Sequence, residues 1–164
     1  MNDVGRYGFF TTFFASIFLS ACMLSVANIS HFPRRANDMD FDKYSTDLNR
    51  HKTGFWTFRT SYEYYIERQK AVEEKLLVSI IEKALREKSF VIDSSGIDSG
   101  CVIAVRGLRA LEYGAVTGVY YKMSGVKLQI YIKTEITQDF SGGPANNLAK
   151  KIGVMIEDEL NKLL

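Results

Sequence analysis

Eleven consecutive residues in the C-terminal third constrain the fold of this chain most. From Val126 to Ile136, apolar Val126, Leu128, Ile130, Ile132, Thr134 and Ile136 alternate with Lys127, Gln129, Tyr131, Lys133 and Glu135. Successive side chains of a strand point to opposite faces, so this pattern predicts a strand with one buried and one wet face, as in an antiparallel sheet. Ser124-Gly125 just before it predicts a hairpin turn back to a strand over Ala115–Met123. Cys101–Arg106 reads as a further strand, Phe90-Val91-Ile92 as a short one, and Asp93–Gly100 between them as turn chemistry.

Two segments carry a helical period instead. Tyr62, Tyr65, Ile66, Val72, Leu76, Leu77, Ile80, Ile81, Ala84 and Leu85 form a stripe interrupted only by Gln69, with charges opposite. Thr60 and Glu63 match a capping box, so the reading is a long helix over about 61–88 after a strand at Phe55–Arg59. The competing reading extends that strand through Tyr64, because Trp56, Phe58, Tyr62 and Tyr64 also alternate. Leu148, Ile152, Met155, Ile156, Leu160 and Leu163 form a second helical stripe after Gly142-Gly143-Pro144. Strand, helix, several strands and helix imply an α+β domain over 55–164: an antiparallel sheet of four to five strands with two amphipathic helices packed on one face.

The N-terminal region is of another kind. Phe9 to Ile29 is a run of 21 residues without a charge, preceded by Asp3 and Arg6. Such a layout suits an export signal, and its length also suits an uncleaved membrane anchor. Ser25-Val26-Ala27 has the small residues of an ordinary cleavage site. Residues 30–54 are mostly polar and are expected to form a flexible tether, a coil spanning roughly 30 Å. Phe41, Tyr44 and Leu48 within it are spaced for one short amphipathic helix or for docking onto the domain.

Leu19-Ser20-Ala21-Cys22 lies inside the apolar run, which continues from Met23 to Ile29. In this the chain resembles bacterial lipoprotein precursors, whose processing box is an aliphatic residue, two small residues and Cys. The resemblance implies a signal peptide over 1–21, a lipid on the Cys22 sulfur, and a lipidated tether over 22–54. Met23 in place of Asp resembles outer-membrane sorting rather than inner-membrane retention, hence a lipid-anchored, periplasm-facing envelope protein. The domain resembles small envelope lipoproteins of unknown function and, broadly, helix-grip domains of envelope assembly lipoproteins. That likeness rests on Leu85 before Phe90-Val91-Ile92, on Gly100 before Val102-Ile103-Ala104, and on Ala149, Ile152, Ile156 and Leu160. These are positions of the fold and imply no catalytic residue.

The residues offer little chemistry. Both histidines, His31 and His51, fall in the expected tether, which leaves the domain without a His for nucleophilic catalysis or metal binding. Cys101 begins a strand and reads as a buried small residue. The Asp93–Gly100 turn has too few ligands for calcium, and Glu63, Glu112 and Glu135 read as solvated acids. Lysines and arginines (21 together) are interspersed with 19 acids, unlike the basic face of a nucleic-acid binder. The expectation is a protein without enzymatic activity, cofactor or metal. It would be held to a membrane through Cys22 and meet another envelope protein on the wet face around Lys127, Tyr131 and Lys133. The alternatives are a periplasmic module with an apolar pocket for a lipid or peptide, lined by Ile130, Ile132, Leu76 and Ile80, or a single-pass signal-anchored protein.

Overall fold

The structure, a computed structural model, describes residues 27–45, 51–53, 59–107, 112–139 and 147–163. Its elements are α1 (Phe41–Ser45), β1 (His51–Thr53), β2 (Arg59–Gln69), α2 (Glu74–Glu87), β3 (Val91–Gly96), β4 (Cys101–Arg106), β5 (Glu112–Ser124), β6 (Lys127–Asp139) and α3 (Leu148–Asn161). The strands form one antiparallel sheet in the order β1-β2-β6-β5-β4-β3. This is the expected α+β class: five full strands, plus the three-residue β1 at one edge. Of the strand expected at Phe55–Arg59, residues 55–58 lie outside the described residues.

The long helix expected from residue 61 is corrected. Arg59–Gln69 is strand along its whole length, paired residue for residue with β6 from Arg59↔Thr137 to Gln69↔Lys127. Tyr62, Tyr64, Tyr65 and Ile66 are aromatic and β-branched, types that favour strands. A helix would set Tyr62, Tyr65 and Ile66 on one side. The strand sends Tyr62 and Ile66 to one core and Tyr65 to another. The helical stripe is real only from the connection at Val72 onward, where α2 buries Leu77, Ile80, Ile81, Ala84 and Leu85.

Both helices pack on one face of the sheet. Their apolar stripes meet Tyr62, Ile66, Val102, Ala104, Val119, Ile130, Ile132 and Ile136 in a contiguous core. Gly153 of α3 lies so close to β2 that a Cβ there would stand 2.2 Å from the Tyr64 ring. The helix can settle this low only on a residue without a side chain.

The opposite face is not wet. Residues 27–43, expected to be tether, run over it as an irregular strap. Phe32, Ala36 and Phe41 are buried there against Tyr65, Cys101, Ile103, Val116, Tyr120 and Tyr131. The sheet is shaped to receive them. A Cβ on Gly118 would meet the Phe32 ring at 2.9 Å, and one on Gly100 would meet the Ala36 Cβ at 2.9 Å. The packed unit therefore includes described residues from Ala27 on, well before residue 55.

Candidate functional site

Lys127, Tyr131 and Lys133 do lie on one face of β6, as their alternation requires, but they do not form the expected exposed surface. Tyr131 is 2% exposed. It stacks on Tyr120 with centroids 6.2 Å apart, and Tyr120 in turn donates its hydroxyl to the Pro33 carbonyl of the strap at 3.0 Å. The Lys133 ammonium sits 4.9 Å from the Phe32 ring centroid and 2.9 Å from Glu135. Lys127, about 20 Å along the strand from Lys133, remains at the surface and pairs with Glu67 at 3.2 Å. The strap is the physical reason: it covers the face that Tyr131 and Lys133 share.

Polar groups pin the strap down. His31 Nδ1 meets Glu135 at 2.8 Å. The Glu135 side chain is only 5% exposed and also holds Lys133, so this buried carboxylate has cationic or hydrogen-bonding partners on both sides. The Cys101 thiol donates to the Arg34 carbonyl at 3.1 Å, the Ala36 amide to the Ser99 carbonyl at 2.8 Å, and the Ala27 amide to the Thr137 hydroxyl. Arg34 reaches Asp93 and Ser94 on edge strand β3 at 2.9 and 3.1 Å. That pair is well exposed and contributes little by itself. A second network lies nearer the β5–β6 turn. Gln129 donates to the Tyr65 hydroxyl at 2.7 Å, and Tyr65 donates to Glu67 at 2.9 Å. Burial pushes the Tyr65 phenol up to about 12, while that bond and Lys127 draw the Glu67 carboxyl below its ordinary value.

His31 and Glu135 together make a histidine–carboxylate pair, the orienting half of many acid–base sites. Nothing in the residue order points to it, because His31 lies 104 residues before its partner. His51 falls in β1. Cys101 is buried, as expected. Among the described residues no group of three or more His, Cys, Asp or Glu side chains is placed to hold a metal. Ile130, Ile132 and Ile80, expected around an apolar pocket, belong to the core between sheet and helices, whereas Leu76 is exposed.

A half-open cavity of about 240 Å³ lies elsewhere, where the end of β2 meets the end of α3. Val72, Leu128 and Leu160 supply its apolar lining, and Arg68, Lys70 and Asn161 its polar lining. Arg68 spends one of its donors on Glu157 at 3.1 Å, and Lys70 donates to the Leu163 carbonyl at 3.0 Å. Sequence reasoning missed this site because it placed Arg68 and Lys70 within one long helix rather than at the end of a strand.

Cys22 lies outside the described residues, and Ala27, five positions later, is already bound to the sheet. Among the described residues no helix is long and apolar enough to cross a membrane. No known protein family matches the chain, and no curated protein matches it either.

Proposed function

We propose that this protein is a membrane-anchored lipoprotein of the cell envelope whose α+β domain binds another envelope protein and carries out no catalysis. The observation that carries the reading is Leu19-Ser20-Ala21-Cys22 within an uncharged run. Cleavage before Cys22 and acylation of its sulfur and new amino group would supply more than one chain, enough for stable anchoring. Met23 after the lipidated residue favours the outer membrane, with the domain facing the periplasm. No nucleic acid, metal or cofactor enters this reading.

The docked strap alters how the anchor acts. The polar stretch over residues 30–54 reads as a long, loose tether, but residues 27–43 lie on the sheet. Five Cα steps separate Cys22 from Ala27, a reach of about 17 Å when fully extended. The domain would then stand directly against the membrane surface with its anchored end fixed at Thr137.

Intact mass of the membrane-extracted protein tests this. A species beginning at Cys22 with added diacylglycerol and acyl mass is expected, and Cys22→Ala should abolish both processing and membrane retention. A full-length, unacylated mass would overturn the lipoprotein reading in favour of a single-pass anchor over residues 9–29.

A further inference from the structure

The two edges of the sheet are not alike. At one edge β3 is blunted: a bulge at Asp93 interrupts its ladder with β4, and Arg34 crosses to Asp93 and Ser94. Bulges and charges of this kind keep other strands from adding to an edge. At the other edge β1 is three residues long and pairs only with Thr60–Tyr62 of β2. The rest of β2, Glu63–Gln69, pairs with β6 on its inner side. On its outer side no strand pairs with it among the described residues. Helix α3 follows this open edge. Tyr64 lies under Gly153, Arg68 meets Glu157, and Lys70 meets the Leu163 carbonyl, so helix and strand run side by side. Glu159 of α3 faces α2, where it meets Lys83. Lys150, Val154, Glu157 and Asn161 form the opposite stripe, above the open edge, and Val154 in it is 39% exposed.

The charges along this edge are mixed and mostly paired. On β2, Glu67 is held by Lys127 and Arg68 by Glu157 of α3. The α3 stripe adds Lys150, and α1, which packs on β2 and β6, adds one charge of each sign in Asp42 and Lys43. Glu63 is the exception. Its Oε2 is buried and has no donor among the described residues, a costly condition for a carboxylate oxygen.

We propose that this edge takes a second copy of the chain, with the two β2 strands antiparallel and Ile66 opposite Ile66. This centring alone pairs all seven residues of both edges. Centring on Tyr65 would set Glu63 directly against Glu67, and centring on Glu67 would set that acid against itself, both destabilising. With Ile66 at the centre, Glu63 falls opposite Gln69, Tyr64 opposite Arg68, and Tyr65 opposite Glu67. The exposed Gln69 amide then supplies the donor that Glu63 lacks. Each pair occurs twice, because the contact is two-fold symmetric. Strands about 4.8 Å apart bring the two α3 stripes together and cover Val154. The two-fold axis stands normal to the sheet, so both strap faces look to the same side, and with them both Ala27 residues. One membrane could hold both copies by their anchors. That agreement rests on the proposed anchoring at Cys22, whereas the pairing of the edges does not.

The test uses the full chain, extracted from the membrane, and follows its association by sedimentation equilibrium in density-matched detergent. A reversible monomer–dimer equilibrium is expected. Gln69→Glu sets a carboxylate against Glu63 twice and should weaken the dimer about fivefold or more, while Gln69→Lys should strengthen it. Glu63→Lys combined with Gln69→Glu restores opposite charges across the contact and should recover association, which a merely misfolded variant would not do. Val91→Lys, on the exposed β3 edge, should leave the dimer unchanged, and thermal melts would verify that each variant is folded. A monomer at roughly 0.1 mM protein would overturn the proposal and leave the edge to a segment of this chain or of another protein. So would a dimer indifferent to the charge series at residues 63 and 69, or one broken by Val91→Lys. Failure of the anchor reading would show separately, as a full-length mass of the same preparation, and would leave the charge series as it is.

Discussion

The two faces of this sheet are covered by different means. The helix face is sealed by two amphipathic helices whose buried positions recur every three or four residues, and the core they enclose is almost entirely apolar. The strap face is sealed by residues 27–43, which bury Phe32, Ala36 and Phe41, pack the half-buried Ala27, Ile29 and Met39 against the same cluster, and are held further by polar pins. Helices satisfy their own backbone and need the sheet only for their apolar stripe. An irregular strap satisfies little of its own backbone, so it borrows partners from the sheet: Thr137, Tyr120, Ser99 and Cys101. The helix face should therefore unfold with the whole molecule, and the strap should open by itself at a lower free energy.

The largest expected effect tests that difference directly. Leu85 is fully buried under α2, and Leu85→Ala should lower global stability by about 2–5 kcal/mol, read as a fall in the urea midpoint. Phe32→Ala removes a larger side chain, but the strap can lift away from the cavity it leaves, so the global loss should be the smaller of the two. Its signature should be faster tryptic cleavage at Arg34-Arg35 under native conditions, an effect Leu85→Ala should not match until the whole protein opens. Equal losses of midpoint from the two variants would mean that both faces form one cooperative unit.

Gly118→Ala sharpens the same contrast from the sheet side. The added methyl would meet Phe32 and Tyr120 at 2.8–2.9 Å, and overpacking of this kind costs about 1–3 kcal/mol. Here it should appear as strap opening, and Phe32→Ala in the same chain should reduce it without abolishing it, because the contact with Phe32 goes and that with Tyr120 stays. Gly153→Ala presses on Tyr64 instead. It should lower the global midpoint and leave the ratio of cleavage at Arg34-Arg35 to global opening unchanged.

What could be read from the sequence divides along the same line. The alternation of Val126–Ile136 placed β6 and both its faces, and the stripes from Val72 to Leu85 and from Leu148 to Leu160 placed the helices, because regular structure writes its period into the chain. The β2 segment failed for a related reason: Tyr62, Tyr65 and Ile66 satisfy a helical spacing by coincidence, and only the eleven-residue ladder with β6 decides against it. The strap has no period. Phe32, Ala36 and Phe41 are spaced by four and five, and their partners lie on distant strands, so a segment whose few apolar residues keep no period read as tether. The exposed surface expected at Tyr131 and Lys133 failed with it. A sign was present in Gly118, a glycine inside an otherwise bulky strand, which often marks a close approach.

A smaller effect should appear at high pH. Burial holds the Tyr65 phenol at about 12 against an ordinary value of 10, so the folded protein keeps a proton there that the unfolded chain releases. This contribution to stability is complete below pH 10 and is lost as pH rises from 10 towards 12. Tyr64 and Tyr121 on the helix face are raised as well, chiefly by burial, and act in the same direction. The urea midpoint should decline across that window, and Tyr65→Phe should flatten part of the decline while weakening the strap-face network at every pH. An identical pH profile in Tyr65→Phe would assign the whole alkaline loss to the helix face.

The smallest expected effect is a gain. The end of α2 is closed by the Phe90 amide bonding to the Leu85 carbonyl and the Ser89 amide to the Arg86 carbonyl, with Ser89 at φ 62°. This left-handed position favours glycine, and a residue with a Cβ there costs about 1–2 kcal/mol. Glycine relieves that strain but also gives the unfolded chain more freedom, so Ser89→Gly should stabilise by a net of about 0.5–1 kcal/mol. Because the turn hands the chain from α2 to Phe90 in the helix-face core, the gain should raise the urea midpoint without slowing cleavage at Arg34-Arg35. If the strap tightened by the same amount, the two covers would be coupled through the sheet, and the strap would share the stability of the helix face.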